Sequence, residues 1–471
     1  MSALDFEQRL GSLMRAASIV CGLSMAGAVM APSAHAQSSQ LLPPSQEGIA
    51  EEGYAGWTLK KFPSQPYMAE RYWDFPSTTP AFFRDSMFQI VTRTYDLGRD
   101  NFNGSQSEAW AAGGWVAFRS GLILNTFGVH AAYYTSQKLY GPLDEDGTKL
   151  LAPGQEPLSM LGQLYARVQV GDQEFRGGRQ LVDTPLINAQ DNRMVPNTFT
   201  GATVVSLPDK DRSYDYTVGY LWDMKQRDSN DFISMSEVLA GDDELDDGTV
   251  FGMVKYRPFD GLTLVAMDYY TQDLLNSGFV QGEYGTKNGK DQLNWIVGAN
   301  LIDQRSAGSD LLTGDDFNTY QASAKAQATY VGWTVFVAGS ITGDGSNIRS
   351  PYGSKPNYTD MQQSSFDNAG EKAIGASLAY DFGYSFDVPG LSAGAWYTLG
   401  SDAIDAITQE EIPDRRELDI WVQYRPSQGQ FKGLRLKAQY SDLWQSDNER
   451  DSQPEFRLIA DYTILFRPPL D

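Results

Sequence analysis

Tyr320-Gln321-Ala322-Ser323-Ala324-Lys325-Ala326-Gln327-Ala328-Thr329-Tyr330 alternates without a break between apolar and hydrophilic residues. Successive side chains of a strand point to opposite faces, so this stretch carries Tyr and Ala on one face and Gln, Ser, Lys and Thr on the other. Val331-Gly332 interrupts the pattern, and Trp333, Val335, Val337 and Ile341 then share the apolar face of a second strand. Each segment is about ten residues long, the length of a tilted strand that crosses a bilayer.

The same period of two recurs on both sides. Leu164, Ala166, Val168 and Val170 alternate with Gln163, Tyr165, Arg167 and Gln169. Leu434, Leu436, Ala438 and Tyr440 alternate with Arg435, Lys437, Gln439 and Ser441. Read this way the chain holds about 18 strands. They cover roughly 86–97, 109–119, 122–134, 161–171, 174–181, 199–206, 214–222, 248–257, 262–271, 276–284, 293–302, 319–330, 333–342, 372–381, 391–399, 416–425, 434–441 and 456–466. Connections alternate between short turns (Ser120-Gly121, 258–261, Val331-Gly332) and long loops (135–160, 223–247, 343–371, 400–415); 272–275 and 285–292 break the rule. An even number of strands with segregated turn and loop lengths predicts an all-β transmembrane antiparallel barrel with short periplasmic turns and long extracellular loops. A soluble β-sandwich has no reason to sort its connections in this way. Aromatics such as Tyr133, Tyr134, Trp222, Tyr256, Tyr330, Trp333 and Tyr424 cluster at strand ends, as interfacial girdles require.

The rest of the chain fits an exported protein. Arg9 and Arg15 precede the uncharged stretch 16–31, and Ala34-His35-Ala36 reads as a cleavage site, so 1–36 is expected to be a signal peptide directing the protein to the bacterial outer membrane. Residues 37–85 form a polar, Pro-containing segment without periodicity, 86–466 the barrel, and 467–471 a short tail. The single Cys lies in the signal segment, and only His130 of the two His remains after cleavage, so neither a zinc site nor Cys/His catalysis has its ligands. No cofactor is expected.

Of the 471 residues, 37 are basic and 60 acidic, a net charge of -23 that speaks against a nucleic-acid partner. Formal charges sort by position. The long loops hold about -24, while strands and short turns come out slightly positive. Arg119, Arg167, Lys255, Lys325, Arg435, Lys437 and Arg457 fall on hydrophilic faces together with the acids Asp215, Glu417, Asp419 and Asp461. In a membrane barrel the hydrophilic face is the lumen, so these residues are expected to line a water-filled pore. Positive charge in a narrow low-dielectric passage attracts anions, and the planar guanidinium can hold a carboxylate with two parallel bonds.

Gly171-Asp172-Gln173, Gly178-Arg179-Gln180, Pro185, Asp191-Asn192-Arg193, Pro196 and Phe199-Thr200-Gly201 resemble a signature of the OprD-type porins, the outer-membrane carboxylate channels. Tyr95, Arg99-Asp100 and the last strand, Phe456 to Tyr462, are similar to that family's first and last strands. The resemblance implies an 18-stranded barrel whose third long loop, here Val182 to Thr198 with Arg193 on it, folds into the lumen. It implies a pore-lining ladder of Arg and Lys for small anionic or carboxylate solutes, placed here at Arg435, Lys437 and Arg457, with Arg179 and Arg193 in the signature itself. It also implies contact with outer-membrane lipid and lipopolysaccharide, insertion by the barrel-assembly machinery, and a monomer or loose homotrimer. Lys437 and Ile459 stand where a fuller Arg pattern is expected, and the chain does not end on an aromatic residue.

Two other readings compete. A general or plugged barrel without substrate selectivity would share the strands and lack the track. An outer-membrane hydrolase would need a catalytic His, but His130 sits alone on a hydrophilic face and no G-x-S-x-G elbow occurs. The acidic run Asp242 to Asp247 lacks the spacing of an EF-hand and is expected on a solvated outer loop, where it could bridge divalent ions to lipopolysaccharide.

Overall fold

A computed structural model describes residues 68–469, apart from 208–211, 287, 290 and 387. The expected signal peptide lies outside the described residues. Eighteen strands form one closed antiparallel sheet: β1 (Met87–Asp100), β2 (Gln106–Arg119), β3 (Phe127–Tyr140), β4 (Leu158–Val170), β5 (Gln173–Gln180), β6 (Thr198–Ser206), β7 (Tyr214–Lys225), β8 (Thr249–Tyr256), β9 (Leu262–Thr271), β10 (Leu275–Gly285), β11 (Asn294–Ser306), β12 (Asn318–Tyr330), β13 (Trp333–Thr342), β14 (Lys372–Asp381), β15 (Leu391–Ser401), β16 (Arg415–Tyr424), β17 (Leu434–Gln445) and β18 (Ser452–Arg467). Each strand pairs with the next, and β1 closes the barrel on β18 from Phe88↔Phe466 to Arg99↔Glu455. Closure leaves no edge in the hydrocarbon, where an unpaired backbone group would have no water to bond.

The alternation in sequence becomes an inside-out protein. Tyr320 and Tyr330 are 44% and 54% exposed on the outer wall, whereas Gln321, Ser323 and Gln327 are buried inside. All eighteen expected strands are present. The third starts at Phe127 rather than 122, because Ile123 to Phe127 closes a tight turn with Leu124 and Asn125 at positive φ. The irregular 272–292 region keeps a continuous register, Leu262↔Tyr284 through Thr271↔Leu275, and is a three-residue hairpin at the long-loop end.

Before the barrel, Ala69–Tyr72 pairs in parallel with Ile464–Arg467, and Ala81–Arg84 makes one helical turn. Strand β17 begins at Leu434, opposite Tyr462, so the lower end of β18 projects beyond it. Residues 69–72 cover that projecting edge, and Glu70 pairs with the buried Arg467 at 2.5 Å.

Two loops enter the lumen. Residues 181–197 (loop 3) fold inward as expected, with Leu181, Val182, Leu186, Ile187, Met194 and Val195 buried. Residues 343–371 (loop 7) do the same, which their Gly-, Ser- and Asn-rich sequence did not announce. The two are joined at Asn188, whose side chain donates to Ser354 O (2.8 Å) and accepts from Ser354 N (3.0 Å). Gly353 sits against this junction at φ +150°, and a Cβ there would lie 2.5 Å from Asn188 Oδ1.

Candidate functional site

Strand parity decides which charged groups reach the passage. Arg119, Arg167, Lys325, Arg435, Lys437 and Arg457 all fall on the inner face, as read from sequence. Arg179 does not. It pairs in register with Leu164, which is exposed on the outer wall, while Glu174, Arg176 and Gln180 are the inward residues of β5. Arg179 lies over the Phe232 ring at 4.3 Å and donates to Leu161 O, so it belongs to the outer surface near the long-loop end. Its place in the signature motif carries no information about strand parity.

The inward arginines gather around three carboxylates. Near the short-turn end, Glu174 accepts from Arg176 (2.7 Å), Arg119 (2.8 Å) and Arg167 (3.1 Å). Midway along β18, Asp461 accepts from Arg435 Nε (2.6 Å) and Arg93 Nε (2.8 Å). Six residues further toward the loops, Glu455 accepts from Arg457 (2.5 Å) and Arg99 (3.3 Å). At roughly 3.3 Å per residue on a strand tilted near 45°, the last two clusters are about 14 Å apart along the pore axis. Seven guanidinium groups thus share three carboxylates. Each wall acid fixes its arginines by hydrogen bonds without cancelling them, so the lower and upper rungs hold more guanidinium groups than acids, while Asp191 of loop 3 brings the middle rung to balance. Lys437 lies inward between the upper two rungs, opposite Gln423 and Ile459.

Arg93, Arg99 and Arg176 were missed as lining groups. The inner face of β1 also carries Val91, Tyr95 and Leu97, which hides Arg93 from a search for a hydrophilic face. Arg176 could have been found from its parity with Glu174.

Loop 3 meets the track at its middle rung. Asp191 takes Arg93 Nη1 at 2.6 Å and Nη2 at 3.2 Å, and Arg193 O accepts from Arg93 Nη1 at 2.5 Å. The Arg193 side chain turns away to Thr148 O (2.9 Å) and Asn192 O (2.9 Å). Burial, with Arg457 nearby, lowers its guanidinium below the ordinary value of 12.5, although a guanidinium stays charged at any working pH. Loop 7 meets the upper rung. Gln362 donates to Glu455 (3.0 Å) and its carbonyl accepts from Arg457 (3.2 Å), while Asp419 and Glu417 accept the backbone N–H groups of Gln362 (3.0 Å), Gln363 (2.8 Å) and Ser364 (2.8 Å).

Lys325 does not join the track. It pairs with Glu283 at 2.6 Å and lies 4.6 Å from the ring of Tyr358, whose hydroxyl also donates to Glu283. His130 is fully buried in the wall, stacked on Tyr165 with centroids 4.9 Å apart. The acidic run Asp242 to Asp247 follows a helix, Met235–Ala240, on the loop between β7 and β8, and Asp242, Asp243 and Glu244 are exposed there.

A closed barrel with an apolar exterior, a hydrophilic interior and loops folded into its lumen is a membrane channel of the outer-membrane porin class. The chain belongs to the OprD family: the model described as "outer membrane porin, OprD family" matches residues 80–466. It therefore resides in the bacterial outer membrane, in a family of channels rather than enzymes. The porin-like protein GalP of Pseudomonas putida is 26% identical over 399 residues, covering 81% of this chain and 93% of its own length. Among solved structures, OccK9 (OpdG) of Pseudomonas aeruginosa superposes with a TM-score of 0.74 at 22% identity, covering 82% of this chain and all of that one. OpdK of Pseudomonas aeruginosa, solved with vanillate, gives 0.69 at 22% identity with the same coverage.

Proposed function

We propose that this porin conducts small carboxylate-bearing solutes by passive diffusion, handing the carboxylate down the three arginine rungs. The observation that carries the reading is the excess of seven guanidinium groups over four carboxylates, three on the wall and Asp191 on loop 3, from Arg457 and Arg99 through Arg93 and Arg435 to Arg119, Arg167 and Arg176. A buried arginine paired one-to-one would be neutral to a passing anion. One that shares its acid keeps donors and charge to offer, and the low-dielectric wall lengthens the reach of that charge. The acidic rim, which includes Asp242 and Asp243, does not set the sign of the interior, because exposed charges are screened within about 10 Å at moderate salt. Vanillate in the OpdK structure is an aromatic carboxylate, which agrees with this choice of solute class.

The test uses purified protein in planar bilayers, with benzoate and its neutral isostere benzamide as probes. Replacing Arg435, Lys437 and Arg457 together by Gln is expected to reduce benzoate flux about tenfold, roughly 1.4 kcal/mol, and benzamide flux less than twofold. Equal losses for both probes would leave a general porin. Wild-type cation preference that persists after the loop acids are neutralised would overturn the carboxylate reading.

A further inference from the structure

The middle rung is already occupied by a carboxylate, and it belongs to the protein. Asp191 holds Arg93 through both oxygens, at 2.6 and 3.2 Å, in the two-pronged geometry that a permeating carboxylate would adopt. Asp191 stands at the inward tip of loop 3, next to Asn192, which is exposed to the passage. The backbone is bent to present it. Gln190 has φ +43°, and Asn192 N donates to Gln190 O at 2.7 Å. A non-glycine residue held in the left-handed region costs about 1 kcal/mol or more, and such strain persists where surrounding contacts over-determine it. Those contacts are the Asn188–Ser354 junction on one side and the Arg93–Asp191 pair on the other.

We infer that Asp191 is a tethered carboxylate that competes with the solute for Arg93, so that a permeating carboxylate replaces it and releases the tip of loop 3. This rests on the carboxylate reading above and adds to it a specificity element: a solute without a carboxylate cannot displace Asp191 and meets the loop in place. The competition has a simple consequence. A rung that is free only a tenth of the time shows a solute affinity reduced tenfold. Arg93 keeps Asp461 when Asp191 leaves, so displacement does not strand a buried charge.

The experiment compares wild type, Asp191→Asn and Asp191→Glu in planar bilayers, reading the half-saturating benzoate concentration and benzamide flux. Asp191→Asn is expected to lower half-saturation by about tenfold and to raise benzamide flux, because the loop tip is then released for every solute, and Asp191→Glu to keep wild-type behaviour. A spin label at Asn192→Cys in otherwise wild-type protein gives a second readout that does not depend on altering Asp191. Benzoate should mobilise the label and benzamide should not. Half-saturation within twofold of wild type in Asp191→Asn, or a label that benzoate leaves still, overturns the tether. If wild type passes benzoate and benzamide alike, the carboxylate reading fails with it; if wild type discriminates while both readouts stay flat, the tether alone fails.

Discussion

The two sides of the lumen are built from opposite chemistry. Along β17, β18 and β1 the inward residues include Arg435, Lys437, Glu455, Arg457, Asp461, Arg93 and Arg99. Across the barrel, β8 to β11 turn Phe251, Met253, Val265, Met267, Tyr269, Phe279 and Ile302 inward, with Lys255 and Glu283 as the charged members. An apolar inner face would be a fault in a water-filled pore, but here it is covered. Val182, Leu186 and Ile187 of loop 3 and Ile348 and Tyr352 of loop 7 pack into one buried cluster with Phe251, Met267, Tyr269, Phe279 and Ile302. The shafts of both loops are therefore held by hydrophobic contact on one wall, and their tips reach the charged wall opposite, where Met194 and Val195 of loop 3 also join a buried cluster with Tyr95, Leu97 and Ile459. One side holds the loops by apolar burial; the other is the wall assigned above, as a proposal, to the passing solute. Burial of apolar area is strong and non-directional, which suits an anchor, whereas ionic bonds can be exchanged for those of a solute.

The sharpest way to break this division is to remove the anchor. Tyr352 is fully buried at the centre of the cluster, edge-on to Tyr269 at 5.4 Å, and its hydroxyl donates to Met235 O at 2.9 Å beside Thr249 and Thr271. Burial pushes that hydroxyl up to about 12, so it remains a donor. Tyr352→Ala should cost about 3–5 kcal/mol through the cavity and the lost ring contacts. Loop 7 should then detach, raising single-channel conductance and erasing discrimination between benzoate and benzamide. Urea unfolding and conductance measure the two effects; a large stability loss with selectivity intact would show that the tips hold the constriction without the anchor.

A milder perturbation titrates loop 7 from within. Asp360 lies beside Lys355, itself paired with Asp367, and burial raises the Asp360 carboxyl to about 6. Its pKa in the folded loop exceeds the unfolded value of 3.8, so between those limits the folded loop binds the extra proton. Stability conferred by this group therefore rises as pH falls through about 6, levels off below 3.8, and is lost as pH climbs back through 6. The effect is about 1–2 kcal/mol after allowing for partial exposure. Protease protection of loop 7 should be greater at pH 5 than at pH 7.5, and Asp360→Asn should remove that difference. Unchanged pH dependence in Asp360→Asn would assign the titration elsewhere.

The same division explains what could and could not be read from sequence. Strands such as β12 and β17 declare themselves because lipid covers one face and water the other, so apolar and hydrophilic residues must alternate. Strand β10 does not, since Phe279 faces inward under a loop while Gly278 and Gly282 face outward, and its alternation fades. Loop 7 left no trace for a related reason. Several of its bonds to the wall run through the backbone N–H groups of Gln362, Gln363 and Ser364, which any sequence supplies, and its side-chain bonds, such as Gln362 to Glu455 and Tyr358 to Glu283, join residues far apart in the chain. The inward arginines are half legible: parity puts Arg435, Lys437 and Arg457 on the inner face, where the structure has them, but the sharing of Asp461 and Glu455 is a long-range fact. Arg93 and Asp461 are 368 residues apart in the chain and adjacent only because the barrel closes.

The finest test of the track separates two arginines on one strand. Arg176 and Arg179 are three positions apart on β5, so they face opposite sides of the wall. Arg176 shares Glu174 with Arg119 and Arg167 inside, and Arg179 packs on Phe232 outside. Net charge changes identically in Arg176→Gln and Arg179→Gln, so any effect of overall electrostatics must be equal in the two. Arg176→Gln should lower benzoate flux by about twofold to threefold, since Arg119 and Arg167 still hold Glu174 and keep the rung positive. Arg179→Gln should leave flux and reversal potential unchanged and alter stability by no more than about 0.5 kcal/mol. Paired zero-current potentials in a salt gradient decide the matter: equal shifts would mean that charge anywhere on the barrel steers the solute, and a shift in Arg176→Gln alone would tie steering to the inner face.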